Sequence, residues 1–377
     1  MTAELWFLLG IMGFWILLYA ISRIFHLEKL GLDVRPAYFM FRSNWMKNFL
    51  DRISQNGQKF WKILASVGIV IAFGMMILAI YSLSDNLFRF LIPAGGASPV
   101  VPILPGITLQ LYWLPYFFAA ATAIILTHEF AHGIAARVEK VAIKSAGIMA
   151  LFVFFGGFVE LDEEEMEKAR RSSKLRIISA GSSTNFATFL LVTLLLIGLF
   201  APSSGVLIQE VVENGPAARA GLQQWDVVYA VNGTRMQTAN DLMQYFEQHN
   251  ITAGQKLIFS TYRENITITV GTNSSGKPSL GILYSDYYRL TPFETSPIIT
   301  VNLYTFMNWL HLIAGSVAVL NMLPLYPFDG DKFVYYLLGK VVKKRLNEIR
   351  IFYNIVFLGL IALNIAFTLS RFGLVPI

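Results

Sequence analysis

The chain has 377 residues, of which 55% are hydrophobic and 14% are charged, and its formal net charge at pH 7 is +6. A soluble domain usually carries about 25% charged residues, so the composition indicates an integral membrane protein, and we interpret the basic excess as a bias of particular loops rather than as a nucleic-acid-binding surface. The absence of cysteine excludes disulfide bonds, cysteine-based zinc sites and thiol nucleophiles.

Two apolar runs, at residues 5–24 and 61–82, predict the first two membrane spans. The segment between them, 35–58, mixes Arg42, Lys47 and Arg52 with aromatic residues. This mixture is typical of a basic amphipathic helix that lies on a membrane surface, and the alternative is an ordinary solvated linker. Residues 1–82 are therefore interpreted as two spans with a basic interfacial segment.

The third apolar run, 107–138, carries the pattern His128-Glu129-x-x-His132 near its C-terminal end. Two histidines at i and i+4 lie on one face of a helix, so both imidazoles can bind one metal ion. The glutamate between them can then act as a general base. Ionisable side chains inside a span are costly, which makes them candidates for function. Pro115 either kinks this span or marks its start.

The stretch 142–159 is apolar enough to cross a membrane, but Gly147, Gly156 and Gly157 interrupt it. Basic residues are dense in 23–59, 137–176 and 332–350, which places these regions in the cytoplasm. A crossing at 142–159 would put the two histidines and Asp329 on opposite membrane faces. We therefore predict a re-entrant or hairpin segment there.

The fourth span, 175–200, contains the polar residue Asn185. Its amide could bind the substrate backbone or a developing oxyanion, or it could make an interhelical hydrogen bond, as is common in membrane bundles. Residues 107–200 together form the first part of a predicted membrane core.

Residues 205–288 are more polar than the rest and predict an inserted soluble domain. Alternating apolar residues indicate strands near 206–211 and 227–231, Asn232-Gly233 indicates a turn, and 241–248 resembles a helix. Four N-x-S/T sequons fall inside this domain, at Asn232, Asn250, Asn265 and Asn273. Their placement favours an extracytoplasmic location.

The fifth span, 298–323, ends in a proline-containing stretch that presents Asp329, and a sixth span follows at 352–369. Residues 298–370 form the second part of the core, and both termini are expected outside. A catalytic Zn²⁺ takes three protein ligands and leaves one position for water. Asp329 is the best candidate for the third ligand, ahead of His311, which lies near the middle of its span, and Glu160, which we expect to be solvated.

Several motifs in combination resemble the site-2 protease family of intramembrane zinc metalloproteases. They are His128-Glu129-x-x-His132, the stretch Asn321-x-x-Pro324-x-x-Pro327-x-Asp329-Gly330, and Gly181 to Asn185 followed by Phe186. The inserted domain resembles a PDZ domain through Gly215-Pro216-Ala217-Ala218-Arg219-Ala220-Gly221-Leu222 and Val231-Asn232-Gly233. Ser204 to Leu207 is its candidate carboxylate-binding loop.

This resemblance implies a polytopic α-helical membrane protein with about six spans, a re-entrant hairpin and an inserted α+β PDZ-like domain. It implies Zn²⁺ bound by His128, His132 and Asp329, with Glu129 as the general base and Asn185 as a substrate-positioning residue. The hairpin would meet the substrate as an added strand.

The implied activity is cleavage of the transmembrane segment of a membrane-anchored protein near the cytoplasmic face. The implied setting is the cell membrane, with the PDZ-like domain extracytoplasmic and the active site toward the cytoplasm. The expected partners are that substrate, the lipid bilayer and, at the PDZ-like domain, a peptide or substrate ectodomain; no nucleic acid is expected. The alternative is a non-enzymatic metal transporter or scaffold, although a transporter should place further ligands along several spans.

Overall fold

The computed structural model describes residues 3–92, 95–273, 275–293, 295–342 and 345–374. The helices are α1 (Ala3–Ile24), α2 (Asn44–Gln55), α3 (Gln58–Leu91), α4 (Leu114–Val138), α5 (Glu163–Lys168), α6 (Arg171–Leu199), α7 (Pro216–Arg219), α8 (Ala239–Gln248), α9 (Pro297–Leu320), α10 (Asp329–Leu338) and α11 (Leu346–Phe372). The strands are β1 (Leu32–Arg35), β2 (Tyr38–Arg42), β3 (Ile143–Leu151), β4 (Phe154–Leu161), β5 (Val206–Val211), β6 (Val227–Val231), β7 (Thr234–Arg235), β8 (Lys256–Thr261), β9 (Asn265–Thr269), β10 (Gly271–Thr272), β11 (Pro278–Ser279) and β12 (Ile282–Asp286).

Five helices in the described residues are long and apolar enough to cross a membrane: α3, α4 with the short turn before it, α6, α9 and α11. Their outer faces expose large apolar side chains, such as Val70 on α3, Ile197 on α6 and Phe352 on α11. Such faces are costly in water and suit contact with lipid. The apolar part of α1, Leu9–Ile24, is shorter, so a sixth span there stays a prediction. Pro115 is the second residue of α4 and marks the start of that helix.

The chain divides into two compact units. One contains residues 1–191 and 309–377, and the other contains residues 192–308. Every residue of the predicted metal site belongs to the first unit.

The prediction of one amphipathic helix over 35–58 is wrong for its first part. Residues 32–42 form the strands β1 and β2, which join β3 and β4 in a four-stranded antiparallel sheet. Strand β2 is rich in aromatic residues, which favour a pleated surface, and it pairs Tyr38 with Leu151 and Arg42 with Gly147. The helical part begins only at Asn44, after Ser43, whose side chain accepts a hydrogen bond from Met46 N at 3.4 Å.

The stretch 142–159 lies within a β-hairpin, β3–β4, and its glycines explain how that hairpin packs. A side chain at Gly147 would collide with the carbonyl of Phe41 on β2. A Cβ at Gly156 would lie 2.6 Å from Ile125 on α4. The glycines thus allow β3 to pair with β2 and β4 to lie directly against α4. Entry of this hairpin into the membrane stays a prediction, which its exposed apolar tip around Phe152 supports.

The second unit contains the predicted inserted α+β domain. Its main sheet has the strand order β12-β5-β6-β8-β9, with β7 paired to β6, and α8 coincides with the helix predicted near 241–248. Buried side chains such as Ile208, Val228 and Phe259 form its core. An apolar groove of about 260 Å³ is lined by residues of α8 and β12, including Phe246 and Ile282.

The prediction that Ser204 to Leu207 forms a carboxylate-binding loop is wrong. Two of its backbone donors are already used inside the domain. Ser204 N donates to Tyr287 O at 2.9 Å, and Gly205 N donates to Gln237 O at 3.0 Å. A carboxylate needs backbone N–H groups that point away from the domain.

Candidate metal centre

Helix α4 presents His128 and His132 as neighbours on one buried face. The residues are 8% and 9% exposed, and their Nε2 atoms lie 3.1 Å apart. The i, i+4 spacing therefore produces the convergence that the sequence predicts.

Asp329 joins the two histidines from another part of the chain. It is the first residue of α10, after an irregular stretch that follows the end of α9 at Leu320. Its Oδ2 lies 3.1 Å from His132 Nε2 and 3.2 Å from His128 Nε2. Gly330 permits this arrangement, because its N donates to Asn321 O at 2.9 Å and a side chain there would collide with the carbonyls of Met322 and Leu323.

The three ligand atoms have the spacing and chemistry that zinc requires. A tetrahedral zinc with bonds of about 2.0–2.1 Å sets its ligand atoms about 3.3 Å apart, close to the observed triangle. Gly181 on α6 faces this triangle, and a Cβ there would lie 2.5 Å from His128 Cε1 and 2.6 Å from His128 Nε2. The glycine therefore allows both histidine rings to lie directly against α6 with their Nε2 atoms in the triangle.

Both histidines have hydrogen-bond partners on the side away from the triangle. His132 Nδ1 lies 2.7 Å from Ile177 O, so this nitrogen carries the proton and leaves Nε2 free to bind metal. An amide atom of Asn185 lies 3.0 Å from His128 Nδ1, and Asn185 is fully buried on α6. These contacts fix the ring orientations, as contacts around metal ligands commonly do.

Asn321 is a site residue to which sequence reasoning gave no role. Its Nδ2 lies 2.8 Å from Asp329 Oδ2 and 3.2 Å from His128 Nε2. It directly follows α9, and the motif that contains Asp329 begins with it, which was the available signal. Its amide donates to the same carboxylate oxygen that meets the histidines, so it helps to orient Asp329.

Glu129 lies beside the ligand triangle but is not part of it. Its Oε2 accepts a hydrogen bond from Val159 N on β4 at 3.2 Å. The carboxylate therefore sits between α4 and β4, and Glu129 lines the same cavity as the candidate ligands.

Neither alternative third ligand belongs to the ligand triangle. The ring of His311 stacks on Phe189 with centroids 4.4 Å apart, and Glu160 is exposed and accepts a hydrogen bond from Ser145 Oγ at 2.6 Å. Among the residues that the structure describes, the group close enough to hold a metal is His128, His132 and Asp329.

A cavity of about 610 Å³ leads to the ligand triangle. The three candidate ligands and Glu129 line one part of it. Its remaining wall includes polar and charged residues, namely Glu160, Glu163, Glu167, Lys332 and Tyr336. A cavity with such a lining can hold water, which hydrolysis at this site would need.

The comparisons with known proteins place this geometry in context. Residues 116–364 match peptidase family M50. The chain is 27% identical over 338 residues to an uncharacterized protein of Methanocaldococcus jannaschii, covering 89% of this chain and 85% of that protein. It is also 24% identical over 243 residues to the zinc metalloprotease RasP of Bacillus licheniformis, covering 50% of this chain and 57% of RasP.

One solved structure is similar to a smaller part of the chain. It is the PDZ domain of an SdrC-like protein from Listeria monocytogenes, which is 20% identical, with 22% of this chain and 90% of that chain covered at a TM-score of 0.21.

The match over 116–364 begins at the start of α4 and ends within α11, so it contains both histidines, Glu129, Asn185, Asn321 and Asp329. By this match, the chain belongs to peptidase family M50.

Proposed function

We propose that the protein is an intramembrane zinc endopeptidase that cleaves transmembrane segments of membrane-anchored proteins near the cytoplasmic face. The observation that carries this proposal is the buried triangle of His128, His132 and Asp329 with Glu129 beside it, built on helices with the length and apolarity of membrane spans. The name of RasP, a zinc metalloprotease, supports the choice of metal and reaction.

The residues divide the chemistry between them. His128, His132 and Asp329 would hold Zn²⁺, which when bound polarises a carbonyl and lowers the pKa of a water molecule to about 7. Glu129 removes a proton from the attacking water and returns it to the leaving amine. The hydrogen bond from Val159 N keeps the Glu129 carboxylate turned toward β4.

Strand β4 is the surface on which we place the substrate. It is an edge strand of the four-stranded sheet, and Val159 on this strand lines the same cavity as the ligands. A locally unwound substrate segment could pair with this edge and bring a backbone carbonyl near Glu129. A helical segment could not, because its carbonyls are engaged in internal hydrogen bonds.

For Asn185 we propose a role in orienting His128. Once Nε2 of His128 binds metal, Nδ1 carries a proton and needs an acceptor. The structure places Asn185 Nδ2 there and leaves the buried Oδ1 without a partner. Amide nitrogen and oxygen are assigned from the hydrogen-bond network, so turning the amide over supplies the required acceptor.

Asn185→Asp should then keep most zinc affinity, because a carboxylate oxygen also accepts from His128 Nδ1. Asn185→Leu removes the acceptor and should lower zinc affinity about 10–100-fold. Competition with a chelator measures the zinc affinity of both variants. Equal affinity in Asn185→Leu and wild type would exclude this role and return Asn185 to substrate positioning.

We place the ligand cavity toward the cytoplasm and the inserted domain outside. The support is the density of basic residues in 23–59, 137–176 and 332–350 and the sequons within 205–288. Protease added outside intact cells should cut within 205–288, and protection of that stretch would reverse the orientation.

If the inserted domain binds a peptide, the groove between α8 and β12 is the surface that suits it, because β12 is an edge strand.

A metal transporter is less well supported. It should place several ligand groups along a path, whereas one such group is found among the described residues.

The experiment that tests the proposed peptidase activity is cleavage of a reporter transmembrane segment by purified protein, first with zinc, then after its removal and again after its return. Cleavage that is unaffected by zinc removal would contradict a zinc peptidase.

A further inference from the structure

Asp331 is a buried carboxylate two residues after the candidate ligand Asp329. It is 1% exposed and lies in the first turn of α10. Residues of α11 supply donors to both of its oxygens. They are Arg350 Nε at 3.0 Å and Nη2 at 2.5 Å, Tyr353 Oη at 3.0 Å and Asn354 Nδ2 at 2.9 Å. Four donors satisfy the carboxylate, as a buried charge requires.

The same helix also contacts the chain before Asp329. Asn354 Oδ1 accepts a hydrogen bond from Tyr326 N at 2.6 Å. Helix α11 therefore holds the segment at residue 326 and at residue 331, on either side of Asp329.

The segment before Asp329 is irregular, and its own backbone hydrogen bonds are those of short turns, such as Phe328 N to Leu325 O at 2.8 Å, together with Gly330 N to Asn321 O at 2.9 Å. Residues 321–328 lie between α9 and α10 and contain Pro324 and Pro327, which cannot donate backbone hydrogen bonds. A metal ligand must nevertheless stay within about 0.5 Å of its productive position. Asn321 orients the Asp329 side chain, and α11 adds contacts to the chain on both sides of that residue.

We propose that Asp331 is a positioning residue, held by Arg350, Tyr353 and Asn354, that fixes Asp329 for metal binding. Zinc affinity then depends on the contact between α10 and α11, although none of these four side chains touches the metal. This inference rests on the proposed function for the identity of the metal and for the role of Asp329 as its ligand.

The test compares two buried carboxylates that are each bound by the Nε and Nη2 atoms of one arginine but lie in different units of the chain. Asp226 in the inserted domain is 2% exposed and is held by Arg263 through Nε at 2.6 Å and Nη2 at 2.5 Å. Asp331→Asn and Asp226→Asn each remove one such charge. Zinc affinity of the full-length protein is measured by competition with a chelator, and thermal unfolding is measured in parallel.

We expect Asp331→Asn to lower zinc affinity about 10–100-fold, the range for loss of a supporting contact, and Asp226→Asn to leave it within about twofold of wild type. Equal zinc affinity in Asp331→Asn and wild type would overturn the inference, and so would an equal loss in Asp226→Asn, since that would show a general effect of stability.

If Asp331→Asn does not fold, two variants of Arg350 decide the question. Arg350→Lys keeps a donor and a positive charge but loses the guanidinium that bonds both carboxylate oxygens at once. Its zinc affinity should therefore fall between those of wild type and Arg350→Gln. Wild-type affinity in Arg350→Gln would overturn the inference. The proposed function fails separately, because it is tested on the wild-type protein, by its zinc content and by zinc-dependent cleavage of a reporter transmembrane segment.

Discussion

Replacing Glu129 with glutamine should lower the rate of peptide cleavage about 10²–10⁴-fold, the usual contribution of a general base, while leaving one zinc per chain. The amide has nearly the same shape as the carboxylate but cannot take a proton from water. Glu129 also lies outside the ligand triangle, and its Oε2 is engaged with Val159 N. Zinc content and cleavage rate, measured on the same preparation, separate loss of the base from loss of the metal.

Glu164→Gln is the matched control for this variant. Glu164 lies on α5 in the same unit, is exposed, and makes a surface ion pair with Lys168 at 3.5 Å. Exposed ion pairs contribute little to stability, so Glu164→Gln should cleave at the wild-type rate. A Glu129→Gln protein that holds zinc and cleaves as fast as Glu164→Gln would remove Glu129 from the mechanism.

A single methyl group at Gly181 should abolish tight zinc binding. A Cβ at this position would lie 2.5–2.6 Å from atoms of His128 and still closer to His132 Nε2. Both rings are already fixed by Ile177 O and Asn185, so they cannot move aside without losing those contacts. We expect Gly181→Ala to reduce zinc affinity at least about 100-fold, the upper end of the loss seen when support of a metal ligand is removed.

Gly198→Ala provides the comparison on the same helix. A Cβ at Gly198 would meet no atom within 4 Å, and alanine favours a helix over glycine. Zinc affinity should therefore equal that of wild type. Equal affinities in Gly181→Ala and Gly198→Ala would show that α6 does not approach the histidines as described.

Local patterns were sufficient to predict the parts of the site that depend on local geometry. The spacing of His128 and His132 places them on one helical face whatever surrounds them. The approach of Asp329 to the histidines was harder to predict, because it depends on which side of the membrane each residue lies. The positions of the basic residues supplied the topology on which that prediction was based. The glycines at 147 and 156 interrupt the apolar stretch for which a re-entrant or hairpin segment was predicted, but their partners, Phe41 and Ile125, are visible only in the fold.

The predictions that were wrong or missing concern distant partners. Strand β2 is short, and besides its neighbour β1 it pairs with β3, more than a hundred residues later. Nothing in the sequence indicated a role for Asp331, because its donors lie on α11. Ser204 and Gly205 had the residue types of a binding loop, yet their N–H groups donate to Tyr287 and Gln237. In each case a contact between remote segments decided the structure.

The most direct test of an intramembrane zinc peptidase is the position of the cut. Purified zinc-loaded protein in lipid vesicles is given a single-span reporter, and the products are identified by mass spectrometry beside those of Glu129→Gln. We expect a cut within the apolar segment, near its cytoplasmic end, and we expect Glu129→Gln not to make this cut. Cuts confined to the soluble flanks, or no cut by protein that holds one zinc per chain, would contradict an intramembrane zinc peptidase.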